Sequence, residues 1–376
     1  MAAASSAPGR IASLILPADA AWTPVTAGRP MAALPATPQG PQPVPAATVE
    51  AAARLLKAGG RTAMILGARA TRVAATELAG RIAAKTGVHL YAPTMTGRLT
   101  RGAGRVELER VPYVIDQALA ALKDYETIIL VGAKAPVGFF AYPNKPSRVW
   151  PPGARVIELA RQEDDVLQAL EDLVEALGAG QAEPRRSRLA PPPRPTGAIT
   201  LEKLGALFAA TLPENVIVAD ESITSGRTFM TASVDTPPHD WLTGTGGSIG
   251  WSLAVATGAA MACPDRKVLA LESDGSALMM PQTLWTHARE QLDIVSVIFN
   301  NRSYQILHNE MRNVGASNIG PKARQLLDLD NPVVDWVSVA KGFGVPGTRV
   351  TDLDQLGRAL DAGYAGRGPC LIEVML

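Results

Sequence analysis

Only two cysteines, Cys263 and Cys370, occur in 376 residues, too isolated to form a disulfide framework or a thiolate metal site. Two solitary thiols fit a reducing compartment, and the cytoplasm is the expected location. Aromatic residues make up 5% and charged residues 19% of the chain, and the formal net charge is +1. No basic face is available for a phosphate backbone or an anionic lipid surface, so neither nucleic acid nor membrane is an expected partner. No stretch of eighteen apolar residues is present. Met1 to Arg10 lacks the basic start and apolar core of a signal peptide. The four histidines, His89, His239, His287 and His308, are scattered and none pairs with a nucleophile. His287 most simply packs or caps on its helix, whereas His239 and His308 stay candidates to line a site.

What the chain does have is an apolar content of 47%, arranged as alternating short β-branched runs and helical periods. From Thr48 onward the pattern predicts a helix over Val49 to Leu56, a strand at Thr62 to Leu66, and a helix ending near Lys85. Strands follow near Val88 and at Thr127 to Val131, then an amphipathic helix from Asp164 to Leu177. Later come a strand at Val216 to Val218, an Ala-rich helix over Leu253 to Met261, a helix over Asp354 to Ala365 and a closing strand at Cys370 to Val374. Alternation of this kind predicts an α/β chain with two doubly wound parallel sheets. Two proline-rich stretches divide it, because their locked backbone sustains neither a helix nor a central strand. The first carries Pro24, Pro30, Pro35, Pro38, Pro41, Pro43 and Pro45. The expected organisation is residues 1–24, a linker over 25–47, a middle α/β domain over 48–180, a linker over 181–195, and a last domain over 196–376.

The chemistry concentrates between Val268 and Ile306. Val268 to Leu271 reads as a strand covered on both faces, ended by Ser273-Asp274-Gly275-Ser276. Helix formers from Pro281 to Gln291 follow, and a second apolar strand, Ile294 to Phe299, runs into Asn300-Asn301. In a right-handed βαβ unit both strand ends lie at the carboxyl edge, where open α/β sheets bind ligands. Asp274 and Asn301 therefore become neighbours. A carboxylate, a side-chain amide oxygen and a backbone carbonyl are hard donors that suit Mg²⁺, which completes its shell with phosphate oxygens and water. Gly275 lets backbone approach a phosphate, and the amides of Gly275 and Ser276 can donate to it. The plain alternative is an ordinary Asp-Gly turn and a loop asparagine.

This spacing resembles the thiamine diphosphate motif, Gly-Asp-Gly followed some two dozen residues later by Asn-Asn, with Ser273 in place of the first glycine. Upstream, Thr243-Gly244-Thr245-Gly246-Gly247-Ser248-Ile249-Gly250-Trp251-Ser252-Leu253 resembles the segment that holds the aminopyrimidine ring in pyruvate decarboxylase, benzoylformate decarboxylase and acetolactate synthase. The resemblance implies that Asp274, the Asn301 side chain and the Ser303 carbonyl hold Mg²⁺, and that Gly275 and Ser276 meet the diphosphate. It likewise places Gly247, Ser248 and Ile249 at the aminopyrimidine, with Ile249 wedged beneath the bent cofactor, and Tyr304 and Ile306 beside it. Asp220-Glu221-Ser222 matches a further acidic cofactor-side loop, though an acidic residue after a strand is commonly a helix N-cap.

Relatives carry a first, pyrimidine-binding domain whose glutamate protonates the cofactor ring, and a chain with all three domains would run to about 550 residues, as the resemblance implies. Ile11 to Asp19 resembles the last strand of that domain and its exit; the rest is absent, which points to a truncated chain, a misplaced gene start or a split enzyme. The middle domain of some relatives binds flavin or a nucleotide. Gly67-Ala68-Arg69-Ala70-Thr71 follows a strand but lacks Gly-x-Gly-x-x-Gly, so no FAD is expected.

The function implied is decarboxylation or carboligation of a 2-oxo acid by a homodimer or homotetramer. Pyruvate decarboxylase has a glutamate where this chain has Leu307, which favours a reading near acetolactate synthase or benzoylformate decarboxylase. Two alternatives stay open: a non-catalytic thiamine diphosphate-binding fragment or subunit that needs a separate pyrimidine-binding domain, and an unrelated nucleotide-binding α/β protein.

Overall fold

The computed structural model describes residues 2–25, 28, 37–316 and 318–376; Pro30 and Pro35 of the first linker lie outside them. The first sheet contains β1 (Thr62–Leu66), β2 (His89–Ala92), β4 (Glu109–Arg110), β5 (Thr127–Val131) and β6 (Arg155–Ala160). Its spatial order is β4-β2-β1-β5-β6, with every pairing parallel. The second contains β3 (Leu99–Arg101), β7 (Ile217–Glu221), β8 (His239–Leu242), β9 (Val268–Ser273), β10 (Ile294–Asn300), β11 (Gly347–Val350) and β12 (Cys370–Met375). Its order is β11-β12-β10-β9-β7-β8-β3, parallel throughout except for the antiparallel contact of β3 with β8. Both sheets are flanked by helices, so the α/β, doubly wound fold is present.

The central strands form where near-continuous apolar runs can be covered on both faces. All five residues of β1 and all seven of β10 are buried. The helix Val166–Leu177 shows how local signals fix an element. Asp165 caps its start by accepting hydrogen bonds from the amides of Leu167 and Gln168, Gly178 ends it in a left-handed turn, and Val166, Ala169, Leu170, Leu173, Val174 and Leu177 bury one face.

Two elements depart from expectation. Ile11 to Pro17 forms no strand: Ile11, Leu14 and Ile15 are 96%, 87% and 89% exposed, and a short helix over Ala18–Trp22 follows. A strand exists only by pairing, and among the described residues no sheet edge reaches this segment. The other is β3, which lies in sequence within the first sheet yet pairs with β8 of the second through Leu99↔Trp241, Thr100↔Asp240 and Arg101↔His239. Three residues carry too little pattern to declare themselves, and the partner strand lies about 140 residues away. Arg98 secures the junction by donating from Nε and Nη2 to the two oxygens of Asp240, at 2.7 and 3.0 Å, while Arg266 reaches the same carboxylate at 2.8 Å.

Candidate active site

The parallel register of β9 and β10 sets Phe299 beside Ser273, so the loops after both strands leave the same edge of the sheet. Asp274 joins them. Its Oδ1 accepts the Gly275 amide at 2.9 Å and its Oδ2 accepts the Arg302 amide at 2.6 Å. The carboxylate is only 4% exposed, and burial pushes its pKa up to about 6 against the lowering effect of those amides. A carboxylate in this state gains from a nearby cation.

The two asparagines separate by burial. Asn300 donates from Nδ2 to the buried Glu373 at 2.7 Å and is committed to the core. Asn301 is half-buried, and its amide oxygen accepts the Ser303 amide at 2.9 Å around Arg302, which holds a left-handed φ of 55°. Asp274, Asn301 and Ser303 thus occupy the two loops that the Asp274 to Arg302 bond ties together. Among the described residues no group of three His, Cys, Asp or Glu side chains could hold a metal ion. The donors available here are one carboxylate with amide and carbonyl oxygens, a set that fits Mg²⁺ rather than a softer ion.

Ser273 replaces a glycine without strain, because its φ of −90° and ψ of 151° are ordinary extended values. Its hydroxyl donates to Ser276 Oγ at 3.0 Å. Gly275 is required for a reason that sequence did not supply. A Cβ there would lie 2.4 Å from Cε1 of Tyr304, whose ring rests on this glycine and whose hydroxyl donates to the Gly275 carbonyl at 3.4 Å. Ile306 is half-buried on the helix Gln305–Asn313, and Leu307 is 44% exposed.

The glycine-rich loop enters from β8. Gly250 holds a φ of 85°, and a side chain there would meet Cβ of Met279 at 2.3 Å and the Ser276 carbonyl at 3.0 Å, so the loop packs onto the turn after Asp274. Gly247 and Ser248 are exposed, and Ile249 is 43% exposed beside them. Glu221 is already engaged. Its carboxylate accepts the amides of Gly250, Trp251 and Ser252 at 2.7, 2.7 and 3.0 Å, capping the helix Ser252–Ala262 some thirty residues downstream. Glu272, directly across from Glu221 in the sheet, is fully buried with Oε2 unpartnered, and burial followed by repulsion from Glu221 raises its pKa well above the usual value.

Sequence reasoning missed the contribution of the first sheet. Thr96 and Thr243 bond reciprocally, with the Thr243 hydroxyl donating to the Thr96 carbonyl at 2.5 Å and the Thr96 amide donating back at 3.3 Å. The Phe139 ring lies 3.4 Å from where a Cβ of Gly247 would stand. The only signal available was an aromatic cluster of Tyr113, Phe139, Phe140 and Tyr142, which periodicity could not assign to a site. His287 is fully buried with Nε2 2.8 Å from Thr257 Oγ1, His239 is buried in β8 with Nδ1 2.8 Å from the Pro237 carbonyl, and His308, on the helix Gln305–Asn313, has Nε2 3.0 Å from Asp328 Oδ1. Gly67, Ala68 and Arg69 line a cavity of about 1130 Å³ together with Arg72, Arg98 and Lys134, and its wall includes Thr96, Phe139 and, from the glycine-rich loop, Thr245.

Comparison with known proteins identifies the family. Residues 225–374 match the family described as thiamine pyrophosphate enzyme, C-terminal TPP binding domain. The whole chain is 42% identical to the Mycobacterium tuberculosis protein named as an acetolactate synthase large subunit, IlvX, and covers 71% of it. It is 27% identical to benzoylformate decarboxylase of Pseudomonas aeruginosa over 70% of the chain and 51% of that protein. A thiamine diphosphate-dependent 4-hydroxybenzoylformate decarboxylase from Rhodococcus jostii RHA1 shares the fold with a TM-score of 0.72 at 22% identity, over 93% of this chain and 66% of that one. These matches remove the unrelated nucleotide-binding alternative. The chain belongs to the thiamine diphosphate-dependent enzymes of the acetolactate synthase and benzoylformate decarboxylase superfamily.

Proposed function

We propose that this chain supplies the diphosphate- and Mg²⁺-binding site of a 2-oxo acid decarboxylase or carboligase of the acetolactate synthase type. The observation that carries the reading is the 2.6 Å bond from the Arg302 amide to Asp274, which brings both halves of the motif to one sheet edge. When bound, thiamine diphosphate supplies an electron sink for breaking the bond between a carbonyl and its carboxylate. Asp274, Asn301 and Ser303 hold the metal, and Gly275 and Ser276 receive the diphosphate. Exposed Ile249, with Gly247 and Ser248, offers the apolar support for the aminopyrimidine, and Tyr304 and Ile306 close the side of the site. Leu307 places no carboxylate at the position of the pyruvate decarboxylase glutamate. This supports a reading near acetolactate synthase or benzoylformate decarboxylase. The working assembly is a dimer or tetramer.

Titration calorimetry with thiamine diphosphate, with and without Mg²⁺, tests the reading. Binding should depend on the metal, and Asp274→Ala or Asn301→Ala should weaken it more than about 100-fold, since each removes a ligand whose supporting groups alone are worth about 10- to 100-fold. Unchanged affinity in both variants would overturn the assignment. An assay of CO₂ release from pyruvate or benzoylformate follows; a protein that binds cofactor yet never turns over would favour the non-catalytic subunit.

A further inference from the structure

Between the two sheets, next to the cofactor edge, lies a cleft of about 310 Å³ lined by Tyr113, Tyr142, Arg227, Asn309, Glu310 and Arg312. That volume is at the lower end of small-molecule sites. The charges around it are not balanced. Lys145 Nζ is paired with Asp116 Oδ1 at 2.5 Å, and Glu310 accepts the Tyr142 hydroxyl at 2.8 Å. Arg312 donates to the Asn309 side chain, and neither Arg227 nor Arg312 has a carboxylate partner among the described residues. Two guanidiniums facing one cleft, with the Asn309 and Asn313 amides beside them, form a set suited to a carboxylate, which a guanidinium fork can grip with paired hydrogen bonds.

The cleft is close to the chemistry. Arg227 sits in the turn after β7, six residues past Glu221, and Arg312 sits on the helix that begins two residues after Ser303. Tyr113, in the cleft wall, packs against Phe139 with ring centroids 5.4 Å apart and planes tilted by 47°, and Phe139 lies against Gly247. One aromatic layer therefore separates the arginines from the loop assigned to the aminopyrimidine.

Resting on the proposed cofactor reading, we propose that this cleft takes an anionic group at the far end of the substrate, so that the preferred substrates are dicarboxylic 2-oxo acids whose distal carboxylate is held by Arg227 and Arg312. The Tyr142 to Glu310 bond straps the two sheets across its mouth.

The test is calorimetry on the full chain with 2-oxoglutarate, pyruvate and glutarate, with and without saturating thiamine diphosphate and Mg²⁺. 2-Oxoglutarate and glutarate should bind at least about 10-fold tighter than pyruvate, and Arg227→Gln or Arg312→Gln should remove about 10-fold or more of that affinity, as expected for a hydrogen bond to a charged group. Thiamine diphosphate affinity should stay unchanged in both variants. Equal binding of pyruvate and 2-oxoglutarate, or retention of dicarboxylate affinity in both variants, would overturn the proposal. Glutarate binding without cofactor keeps the two readings apart: if it persists while thiamine diphosphate fails to bind, the cofactor reading falls and the arginine cleft stands.

Discussion

Asp274 and Glu272 lie two residues apart at the end of β9, yet they answer to different forces. Asp274 reaches two amides of adjoining loops, so its charge is partly supported and can be completed by a cation. Glu272 points into the core beneath the helix Ser252–Ala262, beside Glu221, with one oxygen unpartnered. With a folded-state pKa well above 4.5, Glu272 holds its proton more tightly in the fold than in the unfolded chain. The stability it contributes is complete below the usual glutamate value and is lost as pH rises through the raised one. Glu272→Gln should therefore stabilise the chain near neutral pH by about 1–2 kcal/mol, the order of an unmet buried polar group, and flatten the rise in stability on acidification. Urea unfolding at several pH values would show both effects, and parallel curves for the two proteins would refute them. The motif was legible at this scale because Asp, Gly and Asn are chosen for chemistry. The role of Gly275 was not, since the Tyr304 ring that forbids a Cβ comes from 29 residues away.

At the scale of elements, long apolar strands and well-capped helices declared themselves. β1 and β5 have the bounds that β-branched runs predict, and the helix after Asp165 carries its cap and its terminal glycine in sequence. β3 was invisible because three residues gain strand character only from β8. Its hold depends on Asp240, whose side chain is 8% exposed and receives both Arg98 and Arg266. Asp240→Ala would leave two guanidiniums without their shared partner. Loss of a fully buried partner costs about 3–5 kcal/mol, and the half-exposure of Arg98 reduces the expectation to about 2–3 kcal/mol. Chemical denaturation should report this loss, together with faster amide exchange at Leu99 to Arg101. A change under about 0.5 kcal/mol would mean that side-chain packing, not the ion pair, joins the sheets.

At the scale of the molecule, the edge proposed for the cofactor draws on both sheets. β9 and β10 present the loops that carry Asp274 and Asn301, while Thr96 and Phe139 of the first sheet's loops pack on the glycine-rich segment. A ligand bound there should stabilise the chain by mass action. Thiamine diphosphate with Mg²⁺ at about 100 times its dissociation constant should add about 2.7 kcal/mol, read as a rise in melting temperature that Asp274→Ala abolishes. An equal rise in the variant would place binding elsewhere. The sequence alone determined the α/β class and the cofactor family, because apolar periodicity and motif spacing are local and survive without coordinates. The tertiary structure alone decided that Asn300 faces the core and Asn301 the loop, that Glu221 caps a distant helix, and that Arg227 and Arg312 share a cleft. Each of these depends on which surface an element turns toward a partner far away in the chain, and burial against that partner, not local pattern, sets the orientation.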